Sequence, residues 1–365
     1  MLSPHVQRLT SNSSHRRSGL LAATETTVIV AMLVILCWGS SRLTSLSDDD
    51  LAIHAAASRA SSDRPVYRLT MEETGNRLWV FRPSQEVTAL NLTSGQIDKS
   101  RSSLGVSLVT AAHSRDGATS LLVLQDDSVY LDRQGCDPVW YKRPDSGSSP
   151  SNRLVVDVDV SDDGSIALIA LSDGTVRGWN AIDSRAEVFA YQLPHPEQMV
   201  RMCLDGNGLR LFASFRDGSA SLHETMTGRM LCQLPNLDRE STAAAWSDDG
   251  QRIAVAGADG SIVLLDAASG QRVWQTKLDL PWGLIRVTVL ALSPDSRWLA
   301  AGGLSTQCHL WDVTSPDAVR KLSGHDGLVR AIAFSPHAKT FFTGGFDGTI
   351  REWSLESFTS LRKFD

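Results

Sequence analysis

The chain has 365 residues, is 42% hydrophobic and carries a formal net charge of −6. That length suits one large repeat domain or two ordinary ones, with enough apolar residues for a sizeable core. The acidic balance and the lack of a dense Lys/Arg run argue against a nucleic-acid surface, and five dispersed cysteines without a CxxC pair indicate neither a zinc site nor a disulfide framework.

Residues 1–19 contain Arg8, Arg16 and Arg17 and no acidic residue. The stretch that follows, LLAATETTVIVAMLVILCWG, is continuously apolar from Val28 to Trp38. A membrane-spanning helix takes about 20 residues, and Leu20 to Trp38 supplies 19, with Glu25 close enough to one end to reach the headgroups. The segment 20–38 is therefore expected to be an uncleaved transmembrane signal anchor behind a cytoplasmic basic tail, 1–19. The positive flank would keep the N-terminus cytoplasmic and send the rest of the chain outward. A cleaved signal peptide, giving a secreted protein, is the alternative, since Gly39-Ser40-Ser41 offers small residues for cleavage. Residues 39–64, rich in Ser, Ala and Asp and including Asp48-Asp49-Asp50, read as a flexible stalk.

From residue 65 to 365 one pattern recurs. Asp347-Gly348 is followed six residues after the Asp by Trp353; the same frame holds Asp259-Gly260 and Leu265, Asp217-Gly218 and His223, and Asp173-Gly174 and Trp179. Weaker copies start at Ser305, Asp126 and Ser84. The anchors 84, 126, 173, 217, 259, 305 and 347 are separated by 42, 47, 44, 42, 46 and 42 residues. A second polar turn precedes each anchor by ten to thirteen residues, among them Asp116-Gly117, Asp163-Gly164 and Asp249-Gly250. Two turn signals sharing a period above 40 residues define an internal repeat. In the last copy they bound four short strands, at about 329–335, 340–345, 349–354 and 358–364. Runs such as IALIAL and TFFTGG are apolar on both faces, as expected for sheets packed between other sheets. The predicted fold is all-β: a single β-propeller, most simply of seven four-stranded blades, preceded by the one N-terminal transmembrane helix. Closure of the ring is open between blade packing alone and a strand contributed by 50–57.

These residues resemble the WD-repeat family. The last copy holds Gly324-His325, Ser335-Pro336, Thr343, Asp347-Gly348 and Trp353, and Trp311-Asp312 and Trp179-Asn180 resemble the family's Trp-Asp ending. The resemblance implies a hydrogen-bonded structural tetrad of His325, Thr343, Asp347 and Trp353 that braces the blade, not a catalytic set. It also implies that the residue before each turn Asp contacts partners, here Pro83, Gln125, Ser172, Arg216, Ala258, Leu304 and Phe346. Arg216 and Phe346 stand out because Arg and aromatic residues dominate binding hot spots, and Trp282, in the entering loop DLPWGL, is a third candidate. The segment LLDAASGQRVWQTKL at 264–278 is similar to quinoprotein-type propeller repeats, which include exported dehydrogenases and cofactor-free assembly scaffolds.

No P-loop, GxGxxG after a strand, HExxH or GxSxG is present. The expectation is a non-enzymatic, membrane-tethered interaction scaffold with no cofactor, no metal site and no nucleic-acid partner, binding one or more proteins through propeller loops. The alternatives are an exported quinoprotein-type propeller, as assembly scaffold or oxidoreductase, and a ligand-sensing input domain that signals through another subunit.

Overall fold

A computed structural model describes residues 65–82, 87–101, 108–124, 128–141, 155–182, 187–193, 195, 198–237, 239–278, 286–303 and 305–365. Every element among them is a strand. Blade 1 comprises β1 (Arg68–Met71), β2 (Arg77–Phe81), β3 (Val87–Asn91) and β4 (Ile97–Arg101); blade 2, β5 (Leu108–His113), β6 (Thr119–Leu124), β7 (Val129–Arg133) and β8 (Val139–Tyr141). Blade 3 comprises β9 (Val155–Val160), β10 (Ile166–Leu171), β11 (Thr175–Asn180) and β12 (Glu187–Gln192). Blade 4 holds β13 (Met199–Leu204), β14 (Arg210–Phe215), β15 (Ala220–Glu224) and β16 (Met230–Gln233). Blade 5 holds β17 (Ser241–Trp246), β18 (Arg252–Gly257), β19 (Ser261–Asp266) and β20 (Arg272–Lys277). Blade 6 holds β21 (Val287–Leu292), β22 (Trp298–Gly303), β23 (Gln307–Asp312) and β24 (Ser315–Ser323). Blade 7 holds β25 (Val329–Phe334), β26 (Thr340–Gly345), β27 (Ile350–Ser354) and β28 (Ser360–Phe364). The seven sheets are antiparallel meanders in chain order, a seven-bladed β-propeller.

Within a blade the first strand lines the central channel and the fourth forms the outer rim. First strands of successive blades from β5 to β25 approach one another, β25 also approaching β1, while outer strands such as β16 and β28 are mostly exposed. The turn between second and third strands and the connection to the next blade share one face, here the upper; the other two turns share the lower. The chemistry of the upper turns is local. Gly174, Gly218, Gly260 and Gly348 take φ of 84°, 88°, 82° and 79°, a left-handed conformation that Gly enters without a Cβ penalty. The preceding Asp closes each turn by accepting the backbone N–H two residues on: Thr175, Ser219, Ser261 and Thr349 donate to Asp173, Asp217, Asp259 and Asp347 at 2.9–3.1 Å.

Seven apolar clusters fill the seven gaps between blades. Trp79 and Phe81 of blade 1 meet Leu122 and Tyr130 of blade 2, and the pattern continues to blade 6, whose Trp298 and Leu310 meet Phe341 and Trp353 of blade 7. The seventh cluster joins blade 1 to blade 7, with Val66, Leu69 and Leu78 against Ala331, Phe342 and Ile350. Among the described residues each blade takes its four strands from one contiguous stretch, and blades 1 and 7 meet by packing. Val66 N–H also donates to Gly345 O at 3.1 Å, and Arg362 donates to Leu92 O. The segment 50–57, one of the two closure expectations, lies outside the described residues, as does the expected transmembrane segment 20–38. Among the described residues no helix is long and apolar enough to cross a membrane.

Candidate functional site

The last blade brings His325, Thr343, Asp347 and Trp353 into one chain of hydrogen bonds. Trp353 Nε1–H donates to Thr343 Oγ1 at 2.8 Å, Thr343 Oγ1 lies 2.7 Å from His325 Nε2, and His325 Nδ1 lies 3.0 Å from Asp347 Oδ2. Polarity follows from the end groups: an indole only donates and a carboxylate only accepts. Nδ1–H of His325 therefore donates to Asp347, and the Thr343 hydroxyl, having received the indole, donates to Nε2. Asp347 also accepts the N–H groups of Thr349 at 3.0 Å and Asp326 at 2.9 Å. Burial pushes the Asp347 carboxyl up, but the hydrogen bond from His325, with those two amides, outweighs it and holds the group well below the usual carboxylate range. No nucleophile joins the chain. Its effect is positional: it ties the loop entering β25 to the upper turn that carries Phe346.

Blade 4 contains a second histidine in the same place. His195 and Asp217 are 22 residues apart, as are His325 and Asp347. His195 Nε2 lies 2.9 Å from Ser219 Oγ, which donates to Asp217 at 2.6 Å, and the imidazole stacks on Phe215 with centroids 3.7 Å apart. The motif reading missed it because Pro precedes this histidine where the last copy has Gly; the 22-residue spacing was the available signal. The other six blades carry Val80, Leu122, Ile169, Ala213, Val255 or Ala301 at the register position of Thr343, so none has the hydroxyl at the centre of the brace.

The upper turns present equivalent positions to solvent. Arg216, Ala258 and Phe346 each donate their backbone N–H, at 2.9 Å, to the carbonyl of the residue just before the first strand of the same blade: Gln198, Glu240 and Leu328. Arg216 is 61% exposed at its side chain and reaches Gln198 and Glu240. Phe346 is half-buried and packs edge-on against Tyr67 of blade 1, centroids 5.5 Å apart, with the Arg330 guanidinium 5.5 Å from its ring. Ser172 is half-buried at the matching place in blade 3. Trp282, Pro83, Gln125 and Leu304 lie outside the described residues.

Lower in the channel, charges pair across the ring. Arg68 of blade 1 reaches past blade 2, donating to Ala111 O at 3.0 Å, to meet Asp159 of blade 3 at 3.1 Å. Arg115, in a lower turn of blade 2, contacts Asp162 of blade 3 at 3.5 Å and Asp248 of blade 5 at 2.7 Å. Asp159 also accepts the Leu204 N–H at 2.9 Å, pinning β9 to β13. Among the described residues no three His, Cys, Asp or Glu side chains cluster as metal ligands would.

A closed ring of four-stranded blades, with a His–Thr–Trp brace ending on an Asp-Gly turn and half-exposed side chains repeated along one face, defines a repeat propeller built to present loops. The family description WD40 (WD domain, G-beta repeat) matches residues 239–266, 284–312 and 317–354, which fall in blades 5, 6 and 7. The chain thus carries WD repeats in blades 5 to 7 of its seven-bladed propeller. It is similar to the U3 snoRNP-associated protein-like EMB2271 of Arabidopsis thaliana, 30% identical over 33% of this chain and 28% of that protein. It is also similar to the Protein LST8 homolog of Drosophila melanogaster, at 23% over 46% and 55%, and to a guanine nucleotide-binding protein subunit beta of Solanum tuberosum, at 31% over 32% of each. The matched region thus spans between about a quarter and just over half of each of these relatives' length. Propellers of this family act in protein–protein interaction and scaffolding and are generally non-enzymatic.

Proposed function

We propose that this protein is a non-enzymatic, membrane-tethered scaffold that holds a protein partner on the upper face of its propeller. One observation carries the reading: Arg216, Ala258 and Phe346 occupy one backbone position in three blades, each fixed by the same hydrogen bond, with Arg216 exposed and the other two partly exposed. A rigid ring bearing variable loop residues is how a fold separates binding from stability. The relatives' own names point the same way, one being associated with a ribonucleoprotein and another a subunit of a larger protein. The tether rests on the sequence of residues 20–38, with the N-terminus cytoplasmic and the propeller outside; a secreted form after cleavage is the variant of this reading.

The test pairs topology with capture. Protease added to intact cells should digest a membrane-bound, full-length chain from the outside alone, and a photo-crosslinking residue at 346 should trap a partner that the same residue placed on the rim, at 361, does not. Digestion that needs permeabilised cells would overturn the topology. Equal trapping at 346 and 361 would overturn the choice of face.

A further inference from the structure

Blades 4 and 7 each hold a histidine between the connection entering the blade and the upper turn, but only one of the two braces is complete. In blade 7 the His325 side chain is 1% exposed and lies 3.0 Å from Asp347, and the Thr343 hydroxyl occupies its second nitrogen. In blade 4 Ala213 stands where Thr343 does, so the central hydroxyl is missing. His195 instead lies flat on Phe215, its side chain 23% exposed and its Nε2 3.9 Å from the Asp217 carboxylate.

Ser219 fills that gap. Its hydroxyl proton goes to Asp217 at 2.6 Å, because a carboxylate only accepts. The Ser219 oxygen therefore accepts from His195 across their 2.9 Å contact, which places a hydrogen on Nε2 and leaves Nδ1 to take the second proton. The Ser219 hydroxyl and amide hold the Asp217 carboxyl below the usual carboxylate range, so it stays ionised wherever a histidine titrates. Uncharged, His195 reaches Asp217 only through the hydroxyl; charged, it attracts the carboxylate directly. The other charged groups are Arg216 in the same turn, itself engaged by Gln198 and Glu240, and Asp173 in the upper turn of blade 3, past which residues 192 and 193 run. Glu197 follows two residues on in the sequence.

We propose that blade 4 carries a proton-operated brace: protonation of His195 ties the connection entering β13 to the upper turn that bears Arg216, making in mildly acidic medium the link that blade 7 holds through Thr343. The purpose of the brace rests on the scaffold reading. Arg216 is one of the positions assigned to a partner, and a turn fixed in advance spares the complex the cost of ordering it.

Hydrogen exchange of the purified full-length protein, corrected for the intrinsic pH dependence of amide exchange, reads the brace without any partner. The Arg216 and Ser219 amides are the reporters, bonded to Gln198 O and Asp217; the Phe346 and Thr349 amides of blade 7, bonded to Leu328 O and Asp347, are the internal reference. Between about pH 7.5 and about pH 6 the blade 4 amides should gain about twofold to fivefold protection over the reference, the size of a partly exposed ion pair. His195→Gln, whose amide still donates to Ser219 but takes up no proton, should remove the gain. Asp217→Asn, which keeps the ring and removes its ionic partner, should remove it too. A flat ratio in the parent, an equal gain in His195→Gln, or blade 7 amides that move with those of blade 4 would each overturn the brace. Because no partner takes part, failure here leaves the scaffold reading standing, and failure of the scaffold reading leaves this result unchanged.

Discussion

Trp353 and His325 share a single hydroxyl, that of Thr343, in a part of blade 7 that water does not reach. Removing it as Thr343→Val keeps the side-chain shape and leaves an indole N–H and an imidazole nitrogen buried without partners. Each such group costs about 1–3 kcal/mol, so the variant should lose about 2–4 kcal/mol in urea unfolding. A loss near zero would mean the chain of hydrogen bonds does not brace the blade. His309 in blade 6 is the contrasting case. It is 3% exposed, stacks on Trp311, faces Lys321 across the strand pair, and its Nε2 has no hydrogen-bond partner. Burial, aided by the Lys321 charge, pushes its pKa down to about 4. The unfolded chain takes up this proton near the ordinary histidine value, about 6.5, while the folded chain resists. The stability is therefore whole above that value, falls as the pH drops below it, and is fully lost once the pH is below about 4. At about pH 5 the loss should be about 2 kcal/mol relative to neutral pH. A His309→Phe variant should show a correspondingly shallower decline between pH 7 and about pH 5; identical slopes for variant and parent would refute the assignment.

At the scale of elements, the turns carry the repeat even where their residues drift. Five blades place Gly in the left-handed position of the first lower turn, as with Gly164 at φ 67° and Gly250 at φ 64°. Blades 6 and 7 instead hold Ser296 at φ 56° and Ala338 at φ 48°. The closing hydrogen bond persists, Ser296 N–H donating to Ser293 O at 2.8 Å and Ala338 N–H to Ser335 O at 3.0 Å. A Cβ in that conformation costs about 1–2 kcal/mol, more than glycine's added chain entropy gives back. Ala338→Gly should therefore raise stability by up to about 1 kcal/mol, read as a higher thermal midpoint; a lower one would place the compensation in contacts of the Ala338 methyl.

For the whole molecule, the ring was legible because its determinants are local and periodic. Four Asp-Gly turns and three weaker anchors on one period gave seven blades, and strand limits in blade 7 that differ from Ile350–Ser354 by one residue. The brace in blade 7 was legible because all four residues follow the family spacing. His195 was not, for its Gly had become Pro and the tryptophan position holds His223. The pair Arg68–Asp159, 91 residues apart, follows no period at all. Which first-strand side chains meet across a channel depends on how many blades separate them, and turn spacing does not contain that.

Those lower channel pairs have a mechanical meaning. Stacked repeats that touch only their neighbours bend and open one joint at a time. Arg68 links blade 1 to blade 3, and Arg115 links blade 2 to blade 5, so they act as chords drawn across a circle. A chord resists ovalisation: squeezing the ring along one diameter must lengthen another and pull on an ion pair. The propeller should therefore answer a load on any one blade as a stiff wheel does, by sharing it around the whole rim.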